Sequence, residues 1–332
     1  MFRSAGGHTS REQALSGLVF SPGRFLSEFK GGNSVYTAAL VNQGLQVVDW
    51  TLHEERLASG MQALHAENAS NYKAVFDGLP QEPQAVLRAV QAVVNPLVER
   101  CVEELAMAVG KGRTGMLIVL LVNNGMGTSD HHASPAQGVP ALEAQALVAP
   151  CNIPPFDHAV QAAIIGRPRS LPHVKHTNWV QERKPLEQQK PKDNCAEVLL
   201  MDESGGILEG LVTNFCVICD HPSLPGLALM TAGGSHPALE GIMAKRVGDA
   251  CAKLGIPVIK EPPRAGSRHT WREAFLTNCI RGLQPLSRVS CLPGNAWGHD
   301  PWDFELPNAP GPITRALNEH IRPPESLAGC CS

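Results

Sequence analysis

The chain of 332 residues lacks an excess of either charge: 28 Lys and Arg stand against 31 Asp and Glu, a formal net charge of −3. The basic footprint of a nucleic-acid or anionic-membrane binder is therefore missing. No hydrophobic run is long enough to cross a bilayer, since the longest, Met116 to Val122, ends at Asn123-Asn124-Gly125 after the length of one buried strand. The ten cysteines are scattered. The one close pair in the body, Cys216 and Cys219, lies in an apolar run where strand alternation sends the two side chains to opposite faces, so reduced structural thiols are expected. There is no His-Glu-x-x-His and no second Cys-x-x-Cys, which leaves a metal site without support. Gly110-Lys-Gly-Arg-Thr-Gly115 lacks the spacing and terminal Lys-Ser/Thr of a nucleotide P-loop and reads as a turn before a strand. The first twenty residues have no apolar core of a secretory signal, and their Arg3, Ser4, Thr9, Ser10 and Arg11 against a single acid, Glu12, leave both the cytoplasm and a plastid or other organelle open. Cys330-Cys331 near the end does not make a C-a-a-X box and reads as a solvated tail.

What is present fits a packed enzyme that handles small molecules: 43% of residues are apolar and 18% charged. The length predicts two α/β domains. Ser34 to Leu40 reads as a strand, and after Asn42-Gln43-Gly44 the apolar stretch Leu45 to Trp50 makes a hairpin-like pair. Leu52 to Leu57 opens a helix, and Ala85 to Met107 carries apolar residues at helical three-and-four spacing. The N-terminal part is thus α+β. From Gly125 to Phe156 the chain turns rich in Gly, Ala, Pro and Ser and reads as a long loop and linker, with the boundary near Pro150 to Pro155. This divides the chain into an N-terminal domain, 1–152, and a larger α/β domain, 153–332. In the latter, Ala159 to Ile165 and Glu197 to Met201 read as strands, Thr177 to Leu186 as a helix, and Ile207 to Gly210 with Val212 to Ile218 as a bent strand pair. Pro237 to Leu254 reads as an amphipathic helix ended by Gly255, before the strand Val258-Ile259.

Two segments carry the most chemistry. Leu171-Pro-His-Val-Lys175-His-Thr-Asn-Trp179 is followed about thirty residues later by Ile207-Leu-Glu209-Gly-Leu-Val-Thr213-Asn214-Phe215. Together they resemble the class IV aminotransferases, the fold-type IV pyridoxal 5′-phosphate (PLP) enzymes that include branched-chain aminotransferases, D-amino acid aminotransferases and aminodeoxychorismate lyase. The resemblance implies a D-amino acid aminotransferase-like α/β fold, Lys175 as the Schiff-base lysine and Glu209, in an E-G-x-x-(S/T)-N pattern, as the contact to the pyridine nitrogen, with Thr213 and Asn214 in the same turn. A primary amine can condense with an aldehyde and then move the substrate α-proton. A carboxylate beside the ring nitrogen keeps that nitrogen protonated, so the ring accepts electron density.

The resemblance extends upstream to His53-Glu-Glu-Arg56-Leu57, similar to the family's H-x-x-R-L segment, which makes Arg56 the phosphate clamp; guanidinium donors pair with two phosphate oxygens at once. Tyr36 matches a position that faces the substrate in the family, and it is also an ordinary strand tyrosine. Downstream, Leu239-Glu-Gly241-Ile242-Met243 resembles an L-x-G-I-T segment whose helix N-terminus offers backbone N–H groups to the phosphate, with Met243 in place of the usual threonine. Phe275-Leu-Thr277-Asn278-Cys279 resembles a second phosphate-side turn, with Thr277 and Asn278 either as donors or as ordinary loop caps. The segment between Asn123 and Pro155, where D-amino acid aminotransferases hold the substrate carboxylate with an arginine and a histidine, offers Ser129 and His131 at those places, and Arg167 and Arg169 are alternative carboxylate partners. Lys175-x-x-Asn-Trp-x-x-x-Arg183-Lys-Pro-Leu-Glu187 resembles a plant and algal branch of the class.

These implications amount to a PLP-dependent transaminase acting on a small amino acid or related amine and a keto acid, working as a homodimer. A PLP-dependent lyase, and a catalytically degenerate relative that keeps the fold, are the alternatives.

Overall fold

Gly115-Met-Leu-Ile-Val-Leu-Leu-Val-Asn123 is rich in branched apolar residues, which suit a strand covered on both faces, and it forms the heart of an antiparallel sheet. In this computed structural model the described residues are 2–5, 25–26, 34–68, 79–110, 112–123, 142–192 and 194–321. They fall into two units: Met1–Ile153 with Val174–Glu182, and Pro154–His173 with Arg183–Ser332.

The first unit has a four-stranded antiparallel sheet of β1 (Phe2–Ala5), β2 (Ser34–Val41), β3 (Gly115–Asn123) and β4 (Leu142–Pro150), in the order β1-β4-β3-β2. Register runs through Thr37 opposite Val119 and Val119 opposite Ala146. Helices α1 (Trp50–Asn68) and α2 (Pro83–Val109) accompany the sheet. In α2 the buried residues Val86, Val90, Val94, Leu97, Cys101 and Leu105 recur every three or four positions and make one continuous apolar stripe. Proline at its first helical position and Gly110 at its end, with φ +74°, bound it. The helix comes close to the sheet where Gly115 stands: a Cβ there would lie 2.5 Å from a Leu105 methyl.

Three expectations give way in this unit. Leu45 to Trp50 makes no strand; a single bridge, Val41 to Val47, closes the turn, and Trp50 already begins α1. The stretch read as linker contains β4, whose alanine-rich Leu-Glu-Ala-Gln-Ala-Leu-Val-Ala has weak strand propensity but pairs on both edges, with β3 and β1. The helix expected over Thr177 to Leu186 is broken at Arg183 into α3 (Asn178–Glu182), which belongs to the first unit, and α4 (Lys184–Gln189), which belongs to the second.

The second unit contains β5 (Val160–Gly166), β6 (Cys195–Met201), β7 (Ile207–Gly210), β8 (Asn214–Asp220), β9 (Leu227–Thr231), β10 (Val258–Ile259), β11 (Trp271–Asn278), β12 (Gly282–Cys291) and β13 (Trp302–Glu305). The path β8-β11-β12-β5-β6-β7 returns to β8 through the pair Glu209–Asn214, so six strands close into a barrel-like ring. Alternation along β8 divides the core. Phe215, Val217 and Cys219 join one cluster, with Ile164, Leu199 and Leu286, while Cys216 and Ile218 pack with Val247 and Cys251 of α5 (Ile242–Leu254) and Leu317 and Ile321 of α6 (Pro312–Ile321). Helix α5 starts five residues later than expected, at Ile242, and ends as expected at Gly255, whose φ is +69°. The α6 N-terminus is capped from the sheet: Glu273 accepts hydrogen bonds from the N–H groups of Ile313 (3.0 Å) and Thr314 (2.7 Å) and from the Thr314 hydroxyl (2.6 Å).

The eight cysteines among the described residues are free thiols, and burial pushes those of Cys101 and Cys216 up to about 12, so they are inert at neutral pH. Among the described residues no helix is long and apolar enough to cross a membrane, and no group of three or more His, Cys, Asp or Glu side chains could hold a metal ion.

Candidate active site

In the first unit, the segment around Lys175 docks on the edge strand β2. The N–H of Tyr36 donates to the Lys175 carbonyl at 2.9 Å and the N–H of Thr177 to the Ser34 carbonyl at 3.2 Å, with Val35 and His176 forming an isolated antiparallel bridge between them. The hydroxyls of Ser34 and Thr177 lie 2.5 Å apart, both buried. Gly60 of α1 leaves room for this docking, because a Cβ there would stand 3.2 Å from a Val35 methyl. The Lys175 ammonium nitrogen sits 4.9 Å from the centroid of the Tyr36 ring, over its face. Tyr36 is buried and Lys175 half-buried, so the contact is shielded from solvent on the ring side.

Helix α1 presents His53 and Arg56 to the same neighbourhood. His53 is 1% exposed; its Nδ1 is 2.6 Å from the Thr37 hydroxyl and its ring stacks on Trp50 at 6.1 Å. Burial, reinforced by the charges of Arg56 and Lys175, pulls its pKa down to about 3, so the imidazole is neutral. His53 Nε2 is buried with no hydrogen-bond partner among the described residues. The Ser59 hydroxyl donates to the Arg56 carbonyl within the helix. Ser129, His131 and His132 lie outside the described residues.

In the second unit, Glu209 stands at the seam of the ring. Its Oε1 is 2.9 Å from Arg169 Nε, an ion pair rather than a linear hydrogen bond, and its Oε2 accepts the Leu239 N–H at 3.2 Å. Arg169 also donates to the carbonyl of Pro172. Arg167 stacks on Trp297 at 4.4 Å and donates to the Ala296 carbonyl, so both arginines considered for a substrate carboxylate have protein partners.

The turn after Glu209 is tied down by Glu197. This carboxylate accepts from the N–H groups of Val198 (3.0 Å) and Val212 (3.3 Å) and from the Thr213 hydroxyl (2.9 Å). Burial pushes its carboxyl pKa up, opposed by those three hydrogen bonds. Asn214 donates through Nδ2 to the Leu239 carbonyl at 2.7 Å, and Gly241 lies so close that a Cβ there would be 2.0 Å from Asn214 Oδ1. Gly241 is the N-cap of α5, which has no side-chain cap. Ile242 and Met243 follow, both buried, with Met243 packed in the cluster of Val247 and Phe275. Thr277 is 1% exposed and its hydroxyl has no partner among the described residues, whereas Asn278 Oδ1 accepts from the N–H groups of Ile280 (3.0 Å) and Arg281 (2.8 Å) and so caps its own turn.

The residues fit the cofactor that the resemblance implies. A buried hydroxyl without a partner among the described residues, Thr277, and a helix start with no side-chain cap suit an anion. A primary amine in the first unit and a buried carboxylate in the second are the two groups that a pyridine aldehyde requires. Sequence reasoning passed over two neighbours of these residues and the pairing of a third. His53 lay inside a quoted motif without a role. The pairing of Arg169 with Glu209 has no local signal. Glu197 did have one, as a single acid at an inward position of the apolar strand Cys195–Met201.

No curated protein matches the chain in sequence. Among solved structures, the fold is similar to a hypothetical aminotransferase of Mycobacterium tuberculosis in its PLP-bound form, at 13% identity over 96% of this chain and 97% of that one, TM-score 0.64. It is similar to a branched-chain aminotransferase of the archaeon Thermoproteus uzoniensis at 18% identity over 96% and 92%, TM-score 0.59. A 4-amino-4-deoxychorismate lyase of Pseudomonas aeruginosa is similar at 18% identity over 96% and 98%, TM-score 0.59. These bacterial and archaeal structures lend no support to the plant or algal resemblance. At such identities they establish the mixed α/β, fold-type IV architecture. The model of amino-transferase class IV matches residues 34–289, most of the chain, and the protein therefore belongs to the class IV aminotransferase family.

Proposed function

We propose that the chain is a PLP-dependent transaminase acting on a small amino acid or related amine, with Lys175 as its catalytic amine. The observation that carries this reading is the anchoring of Lys175 at both its backbone and its amine by one residue, Tyr36. Bound PLP would supply an aldehyde and an electron sink for the breaking Cα–H bond. Lys175 would supply the primary amine that such an aldehyde needs and would hold or move the substrate Cα proton at its Nζ. Glu209 would hold the proton of the ring nitrogen, oriented by Arg169 and the Leu239 N–H. Arg56, the Thr277 hydroxyl and the backbone at Ile242 and Met243 would bind the phosphate, with Thr213 and Asn214 shaping the turn beneath Glu209; Asn278 would act through the turn it caps. His131 would face the substrate, and two copies of the chain would form a homodimer, checked by its mass in solution.

A lyase is the second reading, because the Pseudomonas lyase and the archaeal transaminase resemble this chain equally well. Borohydride added to the protein with PLP is expected to leave a mass adduct on Lys175, absent from Lys175→Ala. If wild-type protein takes no adduct, the PLP reading fails. Conversion of the bound cofactor to its amine form by an amino donor alone indicates transamination; its return as the aldehyde indicates the lyase.

A further inference from the structure

Glu209 and Asn214 stand opposite each other in the pair that closes the ring of strands, and residues paired in this way share one face of a sheet. On that face both reach the same residue of the loop before α5. Leu239 gives its N–H to Glu209 Oε2 at 3.2 Å and accepts on its carbonyl the Nδ2 of Asn214 at 2.7 Å. Leu239 belongs to no helix or strand, so a carboxylate and an amide supply the acceptor and the donor that a neighbouring strand would offer. Two residues on, Gly241 starts α5 against the other end of the same amide, where a Cβ would lie 2.0 Å from Asn214 Oδ1. Asn214, 6% exposed, therefore touches the peptide that Glu209 holds and the first residue of the helix that follows.

We propose that Asn214 is a positioning residue: its amide is the joint that sets the N-terminus of α5 at a fixed offset from the Glu209 carboxylate. This rests on the PLP reading, in which Glu209 serves the ring nitrogen and α5 the phosphate, and it gives Asn214 a task other than contact with the cofactor. The ring nitrogen and the phosphate of one rigid ligand stand a fixed distance apart, so the two protein groups that receive them must do so too. Backbone pairing alone does not set that distance, because Glu209 ends β7 in a single pair and α5 follows a loop. A neutral amide suits the task. It offers a donor and an acceptor at once without placing a second charge beside the carboxylate.

The test uses the full chain and two probes, PLP and pyridoxal, which lacks the phosphate. The dissociation constant of each is read from the borohydride adduct on Lys175 as the probe concentration rises, by mass spectrometry. Asn214→Ala is expected to weaken PLP about tenfold while leaving pyridoxal within about twofold, in line with the sensitivity of positioned groups to small displacements. Gly241→Ala presses on the same joint from the helix side and is expected to weaken PLP likewise, but by less when combined with Asn214→Ala, which removes the oxygen that the new methyl meets. A role in stability alone would weaken both probes alike. Equal losses for PLP and pyridoxal in Asn214→Ala, or full additivity of the two substitutions, overturns the proposal. Hydrogen exchange of residues 238–247 without either probe gives a second reading: Asn214→Ala is expected to exchange there about tenfold faster with β11 unchanged, and protection equal to the wild type also overturns the proposal. If Asn214→Ala does not fold, Asn214→Ser, which keeps a shorter donor, is read by the same criteria. A wild type that takes no adduct from either probe sinks the PLP reading instead, and the exchange result then decides whether Asn214 is the joint.

Discussion

In the first unit the amine-bearing segment joins the edge of an open sheet through one bridge, Val35 to His176, whereas in the second the carboxylate sits where a ring of strands closes through one pair, Glu209 to Asn214. Each key residue thus stands where backbone pairing is thinnest and side chains must replace the ladder. The two units replace it differently. The first uses neutral groups: the Ser34–Thr177 hydroxyl pair, the His53–Thr37 contact and the Tyr36 ring. The second uses buried ionisable groups, in the Arg169–Glu209 pair and in Glu197, which accepts three hydrogen bonds. Removing one partner of a buried charged network leaves the others desolvated and unsatisfied, so the second arrangement should be the more brittle.

The largest test of this contrast is Gly210→Ala. The new Cβ would lie 2.3 Å from Thr213 Oγ1 and 2.6 Å from Glu197 Cγ, and urea unfolding of this variant is expected to show a loss of about 3 kcal/mol. An unchanged midpoint would mean that the seam slides. Next, Glu197→Ala strands two N–H groups and a hydroxyl, with an expected loss of about 2 kcal/mol; Glu197→Gln should lose less, and equal losses would show that the charge rather than the acceptors matters.

His53 gives the first unit a pH signature. Its folded pKa of about 3 lies below the ordinary 6.5, so between those values the unfolded chain takes up a proton that the folded one refuses, and stability falls as pH drops through that window. At pH 5.5 the difference from neutral pH is about 1.3 kcal/mol. His53→Gln is expected to remove that part of the acid loss; parallel stability–pH curves for the two proteins would refute it. The smallest effect belongs to Thr177→Val, which removes the hydroxyl pair at 2.5 Å and should cost about 1 kcal/mol. A loss as large as that of Glu197→Ala would erase the contrast between the units.

The long periodic helix α2 was legible in sequence because its stripe repeats over many turns, and the strand that became β3 because it is a solid apolar run. β4 was not, since alanine carries almost no strand signal and only its two neighbours define it. The break at Arg183 was hidden because Thr177 to Leu186 keeps helical spacing on both sides of it. At the site, Lys175 and Glu209 were legible through the residues flanking them. What holds them was not: Tyr36 lies far from Lys175 along the chain, and the partner of Arg169 emerges only when β7 has folded.

The interleaving of the two units orders events during synthesis. The first unit is complete only when residues 174–182 have emerged, twenty-nine residues beyond the end of its main segment at Ile153. At ribosomal speeds of about 5–20 residues per second this leaves the Ser34–Tyr36 edge waiting for about 1–6 s. A nascent chain halted after Ile153 should therefore bind conformational probes of β3 and β4 before any probe of the β2 edge. The amine arrives with the last segment of the unit that holds it, after the other unit has begun to be made.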